Sequence, residues 1–139
     1  MSTIIWKARW IIIKDNKIFL AKWIKSWVFY LPGGTHKNWE TITECLKREI
    51  SEELWVKPII WKMLIFREFK DSKNQTVLDF WFEITNSWDF EKIDKNNCSH
   101  WYEWSEAWFY DLDNIKWQYL PNNISDILKS KKDISWFLI

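Results

Sequence analysis

Three glutamates, Glu49, Glu52 and Glu53, crowd into the helical part of LPGGTHKNWETITECLKREISEELWV, residues 31–56. On an α-helix, spacings of three and four residues place all three carboxylates on one face. Like charges repel there, whereas a hard divalent cation such as Mg²⁺ binds clustered carboxylates when phosphates are also present. Helix spacing alone favours the plainer interpretation, a solvated charged face, so the flanking residues must decide.

The residues beside the glutamates favour a metal site. Arg48 lies four residues before Glu52, where its charge relieves part of the repulsion. Gly33 and Gly34 let the backbone turn tightly, so that a backbone carbonyl, for which Gly33 is the candidate, comes near the same ions.

A helix has to position these side chains. Thr41 and Glu44 form a T-x-x-E capping box, which predicts a helix from Thr41 to Leu54. Four residues mark its apolar face: Ile42, Cys45, Leu46 and Ile50. The position of Cys45 on this face predicts a small core residue instead of a disulfide partner or a nucleophile.

Strand-forming segments surround this helix. Strands are predicted at 3–13, 17–22, 29–32, 58–69, 75–84 and within 102–112, a loop at 85–99 and a final helix at 121–130. Pro32 should stop the third strand. Strands around one carboxylate-rich helix, with a second helix at the end, predict an α+β sandwich.

The whole chain has the composition of an ordinary globular protein. Its 139 residues are 47% hydrophobic and 28% charged, which predicts a single domain over 1–139. A net charge of +1 gives no reason to expect nucleic acid or an anionic membrane as a partner. The sequence predicts neither a membrane span nor a signal peptide, so the expected location is cytoplasmic.

Residues 34–56 resemble the Nudix box, G-x5-E-x7-R-E-U-x-E-E-x-G-U, in which U is aliphatic. The first glycine is followed after five residues by Glu40, and after seven more by Arg48 and Glu49. Every other defined position matches except one, where Trp55 stands in place of the second glycine. A motif this long and gapped is specific, and the chain is identified as a member of the Nudix (MutT-like) hydrolase family.

The resemblance implies a Nudix-type α/β/α sandwich with a mixed central sheet. It also implies a Mg²⁺-dependent pyrophosphohydrolase, with Mn²⁺ as a substitute metal, that cleaves a nucleoside diphosphate linked to another group. Glu49, Glu52 and Glu53 would bind the metals, and Glu52 or Glu53 would help to deprotonate the attacking water. Arg48 would orient a glutamate, and Glu40 would stabilise the loop–helix junction or assist the metal site.

Residues elsewhere add candidates for contacts with the substrate. Many family members recruit one more acid, for which Glu103 and Glu106 are candidates, although a plain surface position fits either equally well. Arg9 and Arg67 lie in predicted strands and could meet a substrate phosphate, but salt bridging within the fold is the favoured interpretation. Gly34 could also approach the substrate, and the two histidines are predicted to be loop residues.

The tryptophan content is abnormal. The chain has 14 Trp and 2 Gly, where about 7% glycine is usual. Trp55 occupies a position at which the motif requires glycine, because the helix should end there in a left-handed cap. Five more tryptophans stand where such domains often carry glycine: Trp10, Trp23, Trp27, Trp39 and Trp108.

We therefore hypothesise that most of these tryptophans are glycines in the cell, written from UGA codons that the organism reads as glycine. Trp81, in an apolar strand, is the best candidate for a true tryptophan. The competing interpretation, aromatic residues that stack bases, does not explain the scarcity of glycine. The hypothesis predicts a positive φ or a deformed helix end at Trp55, and several unusually exposed tryptophans.

The sequence leaves two functions open. Besides the hydrolase, a Nudix-fold module could bind or sense a nucleotide without cleaving it, although the complete set of glutamates favours the enzyme. An oxidised nucleoside triphosphate, a dinucleoside polyphosphate, a nucleotide sugar and ADP-ribose all remain compatible as small-molecule substrates. The oligomeric state is equally open, with a dimer among the alternatives.

Overall fold

The computed structural model describes residues 3–25, 29–93 and 104–114. In chain order the elements are β1 (Ile4–Lys14), β2 (Lys17–Trp23), β3 (Phe29–Tyr30), β4 (Gly33–Thr35), α1 (Ile42–Leu54), β5 (Ile60–Lys70), β6 (Thr76–Ile84), α2 (Ser87–Phe90) and β7 (Trp104–Asp111). The helix predicted at 121–130 lies outside the described residues. Within the described ranges, no helix is long and apolar enough to cross a membrane.

The strands form one mixed sheet in the order β3-β2-β1-β6-β5, and β1 is its central strand. β1 runs parallel to β6 and antiparallel to both β4 and β2, while β7 pairs with the other edge of β2. Asp15 and Asn16 join β1 to β2 with φ values of 50° and 60°, the positive values that a tight hairpin turn requires. The predicted α+β class with a mixed central sheet is therefore confirmed.

Alternation along β1 gives the sheet two apolar faces. Ala8, Trp10 and Ile12 are buried in one cluster with the apolar residues of α1, including Leu46 and Ile50. The opposite face buries a second cluster that includes Ile11, Leu31 and Trp81. The helix that carries the glutamates is thus fixed against β1 by its apolar side.

The capping box sets the start of α1. Thr41 Oγ1 accepts a hydrogen bond from the Glu44 amide at 3.2 Å, and a Glu44 carboxylate oxygen accepts one from the Thr41 amide at 2.7 Å. Thr41 is the N-cap and the helix begins at Ile42, one residue after the predicted start. The sequence signal therefore located the helix that matters most for function.

Trp55 ends α1 in the left-handed conformation, with φ 57° and ψ 28°. Its amide donates a hydrogen bond to the Ser51 carbonyl, so the cap geometry that the motif assigns to glycine is retained by a residue with a Cβ atom. The predicted positive φ at this position is confirmed.

Several tryptophans are exposed, as expected. Exposed side chains belong to Trp6, Trp39, Trp55, Trp61, Trp88 and Trp108. Trp10 and Trp81 are instead completely buried, and neither indole N–H has a hydrogen-bond partner among the described residues. Burial therefore does not separate Trp10, a predicted glycine position, from Trp81, the predicted true tryptophan.

Two predictions about local structure were wrong. The third strand does not run to Pro32, because it ends at Tyr30 and the chain pairs again as β4, which sequence analysis missed. Glycines are weak strand formers, but the close approach of the Gly33 backbone to β1 leaves no space for a Cβ atom.

The predicted loop at 85–99 contains the short helix α2. Asn86, the residue before this helix, is buried. Its side chain accepts a hydrogen bond from the Ile59 amide and donates one to the Lys57 carbonyl, which fixes the start of α2 against the chain before β5.

Candidate active site

Arg48, in the middle of α1, is the centre of a polar network that joins the preceding loop to the helix. Its Nε donates to Glu40 Oε2 at 2.9 Å and its Nη2 to Glu40 Oε1 at 2.7 Å, an arrangement that engages both oxygens of one carboxylate. Its Nη1 donates to Glu49 Oε1 at 2.7 Å and lies 3.4 Å from Glu52 Oε2. The arginine therefore bridges the loop acid to two of the helix glutamates.

Glu40 is a junction residue in this geometry. Its carboxylate is buried and also accepts a hydrogen bond from the Lys37 amide at 2.9 Å. The hydrogen bonds from Arg48 lower the pKa of Glu40 to about 2, and the same contact raises the pKa of Arg48. With its carboxylate oxygens engaged, Glu40 holds the loop to the helix and is poorly placed to bind a metal as well.

The diglycine packs against the first of the helix glutamates. A Cβ atom on Gly34 would lie 2.0 Å from Glu49 Cδ, so a side chain here would require the Glu49 carboxylate to move. A Cβ atom on Gly33 would lie 2.1 Å from the Ala8 carbonyl oxygen, so this glycine is required by the contact with β1. The loop backbone is thus held between β1 and Glu49.

The other two glutamates differ in exposure. The Glu52 side chain is half exposed, whereas Glu53 is 8% exposed on the side of α1 that includes Leu54 and Ile50 among its buried residues. Burial of an acid is uncommon unless it is paired or binds a cation. Both residues lie within about one helical turn of Glu49 along α1.

The donor types in this region suit a hard cation, because carboxylates and backbone carbonyls are the oxygen ligands that Mg²⁺ accepts. In the described part of the chain, however, no three His, Cys, Asp or Glu side chains come together closely enough to hold a metal ion. The Glu49 carboxylate is turned toward Arg48, which helps to keep it apart from the other helix carboxylates. The residue types suit the metal, and the hydrogen bond from Arg48 to Glu49 Oε1 leaves the second oxygen of this carboxylate to serve as a ligand.

Cys45 lies behind this network and is inert. Burial raises the pKa of its thiol to about 12, so the reactive thiolate does not form at neutral pH. Its side chain is fully buried in the cluster between α1 and β1. The predicted core role of this cysteine is confirmed.

Arg9 and Arg67 meet at an acid that sequence analysis did not single out. Asp79 is completely buried and accepts hydrogen bonds from Arg9 Nε at 2.9 and 3.0 Å and from Arg67 Nε at 3.0 Å. A charged residue inside the apolar run TVLDFWFEI was the signal that could have identified it. Both arginines thus make the salt bridges within the fold that were the favoured interpretation.

Of the two acids predicted outside the motif, the structure describes only the backbone position of Glu106. Glu106 lies in β7, with Lys22 of β2 as its register partner, and Glu103 is outside the described residues. The recruitment of either acid remains a prediction. His36 lies between β4 and α1, where its ring contacts the Glu40 carbonyl and Trp6.

Comparison with known proteins agrees with the fold and the motif. A family model described as NUDIX domain matches residues 6–122. A relative from Buchnera aphidicola subsp. Schizaphis graminum, described as an 8-oxo-dGTP diphosphatase, is 31% identical over 134 residues, which span 91% of this chain and 92% of the relative.

Solved structures show the same architecture at low identity. A MutT NUDIX hydrolase from Burkholderia pseudomallei aligns with a TM-score of 0.71 at 17% identity, covering 94% of this chain and 100% of that one. The MutT protein of Methanosarcina mazei Go1 aligns with a TM-score of 0.68 at 18% identity, covering 94% and 98%. The predicted Nudix-type sandwich is confirmed by these likenesses.

Proposed function

Because the chain belongs to the NUDIX domain family and is a Nudix hydrolase, we propose that it is a Mg²⁺-dependent pyrophosphohydrolase acting on a nucleoside diphosphate derivative. The observation that carries this proposal is the complete set of Glu49, Glu52 and Glu53 on one helix, with Arg48 bonded to the first of them. A module that only binds nucleotides has no need of all three carboxylates.

Each residue of the network has a distinct task in the proposed site. Glu49, Glu52 and Glu53 would hold Mg²⁺, with the Gly33 carbonyl as a backbone ligand. Arg48 positions Glu49 through the 2.7 Å hydrogen bond, and Glu40 positions Arg48. When bound, Mg²⁺ supplies charge neutralisation of the diphosphate and a water of lowered pKa.

Hydrolysis adds one water across the P–O–P linkage. The water oxygen forms a new bond to one phosphorus, the bridging oxygen leaves with the other phosphate, and a carboxylate accepts the proton of the water. Glu52 and Glu53 are the candidates for this base, and we favour Glu53 because its burial shields it from bulk solvent. Two phosphate products result, with no change in oxidation state.

We infer the substrate class from the relative. An 8-oxo-dGTP diphosphatase at 31% identity supports an oxidised purine nucleoside triphosphate as the substrate, cleaved to a monophosphate and pyrophosphate. This substrate is a small molecule, so the proposal requires neither nucleic acid nor a membrane as partner. We propose a cytoplasmic location, because free nucleoside triphosphates are present there.

A substrate panel tests the proposal. Purified protein should release pyrophosphate from 8-oxo-dGTP with Mg²⁺ and lose this activity with EDTA, while dGTP, a dinucleoside polyphosphate, a nucleotide sugar and ADP-ribose define selectivity. Mn²⁺ should restore part of the activity. Hydrolysis of ADP-ribose alone would refute the substrate class but retain the hydrolase. Thermal stabilisation by nucleotides without any turnover would instead support the sensing module.

We also propose that Trp55, Trp39 and other glycine-like tryptophans are glycine in the native protein. The positive φ of Trp55 supports this, because a Cβ-bearing residue is disfavoured there by roughly 1–2 kcal/mol. Trp39 is 71% exposed and immediately precedes Glu40, so its indole adds little to the core.

The codons of the gene decide this second proposal. UGA at positions 39 and 55, together with a native protein mass lower by the tryptophan-to-glycine difference at each UGA, is the expected result. UGG codons at both positions would refute it. Because hydrolysis is measured separately, neither outcome alters the test of the enzyme.

A further inference from the structure

Asp79 anchors two arginines on the sheet face opposite α1. Alternation places Arg9, Arg67 and Asp79 on the same face as Trp81, with Arg67 directly opposite Asp79 in the β5–β6 register. The Asp79 carboxylate is fully buried, whereas the two arginine side chains are 18% and 19% exposed. The buried aspartate thus binds both guanidinium groups from the interior side, and part of each guanidinium group stays accessible to solvent.

Positive charge exceeds negative charge at this cluster. Lys7 is the β1 register partner of Asp79, and Asp71 is a second acid that acts on Lys7, so three cations face two carboxylates. In the part of the chain that the structure describes, Asp79 is the only acid paired with either arginine, and Lys7 forms no ion pair. Burial lowers the pKa of Lys7, and Arg9 lowers it more than Asp79 raises it. This excess is unfavourable in the protein alone.

The arginines also retain unused hydrogen-bond donors. Arg9 donates through Nε to Asp79 and through Nη1 to the Leu31 carbonyl at 2.9 Å, and Arg67 directs Nε and Nη2 toward Asp79. Among the described residues, Arg9 Nη2 and Arg67 Nη1 have no acceptor. Arginine presents its donors in a planar fork that suits phosphate oxygens, so these groups are prepared to meet an anion.

The cluster adjoins the loop of the candidate active site. Arg9 is paired with Gly33 in the β1–β4 register, and the next residue, Gly34, packs on Glu49. The loop backbone therefore has the cations on one side and the glutamate network on the other. The cluster and the glutamate network thus adjoin the same short segment of chain.

We propose that Lys7, Arg9 and Arg67 form an anion-binding site, positioned by Asp79, that takes a phosphate group of the polyphosphate substrate. The identity of the ligand as substrate rests on the proposed function, whereas the anion site itself does not. Asp79 is a positioning residue here, because it acts through the arginines. This site would determine the affinity for the phosphate chain of the substrate, while the glutamates of α1 would carry out hydrolysis.

Pyrophosphate binding in EDTA tests the site without metal or turnover. Isothermal titration calorimetry at low salt should detect binding to the wild type, which Lys7→Gln weakens roughly ten- to hundredfold, the value of one charged hydrogen bond. Lys7→Gln breaks no ion pair, so folding should be retained. The matched control is Lys17→Gln, which removes the same charge from the exposed start of β2 and should bind like the wild type.

Arginine variants and kinetics complete the test. Arg67→Gln should also weaken binding, and Arg67→Lys should restore part of it because the charge is kept. In turnover, Lys7→Gln should raise KM for a triphosphate and change kcat less than twofold. Wild type that does not bind pyrophosphate, or Lys7→Gln that binds like the wild type, would overturn the site. Lys7-dependent binding without any hydrolase activity would instead leave the site standing and refute the proposed function.

Discussion

At the scale of single residues, the candidate site depends on how one arginine distributes its donors. Arg48 bonds both oxygens of Glu40 and one oxygen of Glu49, so it fixes the loop and a metal-ligand candidate at the same time. Glu53 is the acid that this network engages least directly, and it is the most buried of the three helix glutamates. Glu53 gives a prediction for catalysis, and Glu40, the partner of Arg48, gives one for stability.

Glu53→Gln keeps the size of the side chain and removes its charge and basicity. We expect kcat for 8-oxo-dGTP to fall roughly 10²–10⁴-fold, the usual contribution of a positioned base. Glu68→Gln on β5 is the matched control and should retain kcat. Steady-state pyrophosphate release measures both variants, and a Glu53→Gln enzyme with wild-type kcat would exclude this glutamate from the site.

Glu40→Gln should destabilise the fold in a pH-dependent way. At pH 7 the loss in free energy of unfolding should be about 2–3 kcal/mol, since charged hydrogen bonds to Arg48 are removed. The folded pKa of Glu40 is about 2, below its ordinary value of 4.5, so the stabilisation is present above pH 4.5 and is lost as pH falls toward 2.

Urea unfolding at pH 7 and at pH 3 measures this difference between Glu40→Gln and the wild type. The gap should narrow at the lower pH, and Glu68→Gln should stay within about 0.5 kcal/mol of the wild type at both. A gap that is equal at the two pH values would show that the Glu40 charge does not stabilise the junction.

At the scale of elements, α1 is well specified at its start and strained at its end. The reciprocal hydrogen bonds of Thr41 and Glu44 fix the first turn. The last turn closes on Trp55 in a left-handed conformation that favours glycine. The same helix therefore contains the clearest agreement with local rules and the clearest departure from them.

Trp55→Gly should raise the free energy of unfolding by about 1 kcal/mol, because the cap strain is removed and the indole is 73% exposed. Trp61→Gly is the matched control, since Trp61 is 68% exposed but lies in β5 with an ordinary backbone. Glycine weakens a strand, so this control should lose up to about 1 kcal/mol. Chemical denaturation that shows destabilisation in both variants would contradict the strained cap.

At the scale of the whole molecule, one buried carboxylate links three strands of the central sheet. Asp79 in β6 bonds Arg9 of β1 and Arg67 of β5, and both strands flank it in the sheet order. Its removal would leave two partly buried guanidinium groups without a counterion. The stability of the sheet should depend on it more than on any surface acid.

Asp79→Asn should lower the free energy of unfolding by about 3–5 kcal/mol, the usual effect of breaking a buried ion pair. Hydrogen exchange should speed up across β1, β5 and β6 together. Asp15→Asn is the control, because asparagine tolerates the positive φ of this turn position and should change stability by less than about 0.5 kcal/mol. A similar, small effect of both variants would refute the role of Asp79.

The sequence by itself determined α1, its acidic face and the family. These features depend on spacing, capping and helical periodicity within 23 residues of chain, so local rules were sufficient to identify the glutamates, Arg48 and the misfit of Trp55. The strands other than β4 were also located to within a few residues, because β-branched and aromatic runs are local signals.

Only the tertiary structure decided which distant residues meet. The return of Gly33 and Gly34 as β4, and the pairing of Arg9 with Asp79 across 70 residues, follow from strand order and register. Register is set by packing of the whole sheet, and no local pattern contains it. For this reason the sequence could name Arg9 and Arg67 as candidates, but the fold was needed to place both on one buried aspartate beside the loop that leads to the glutamates.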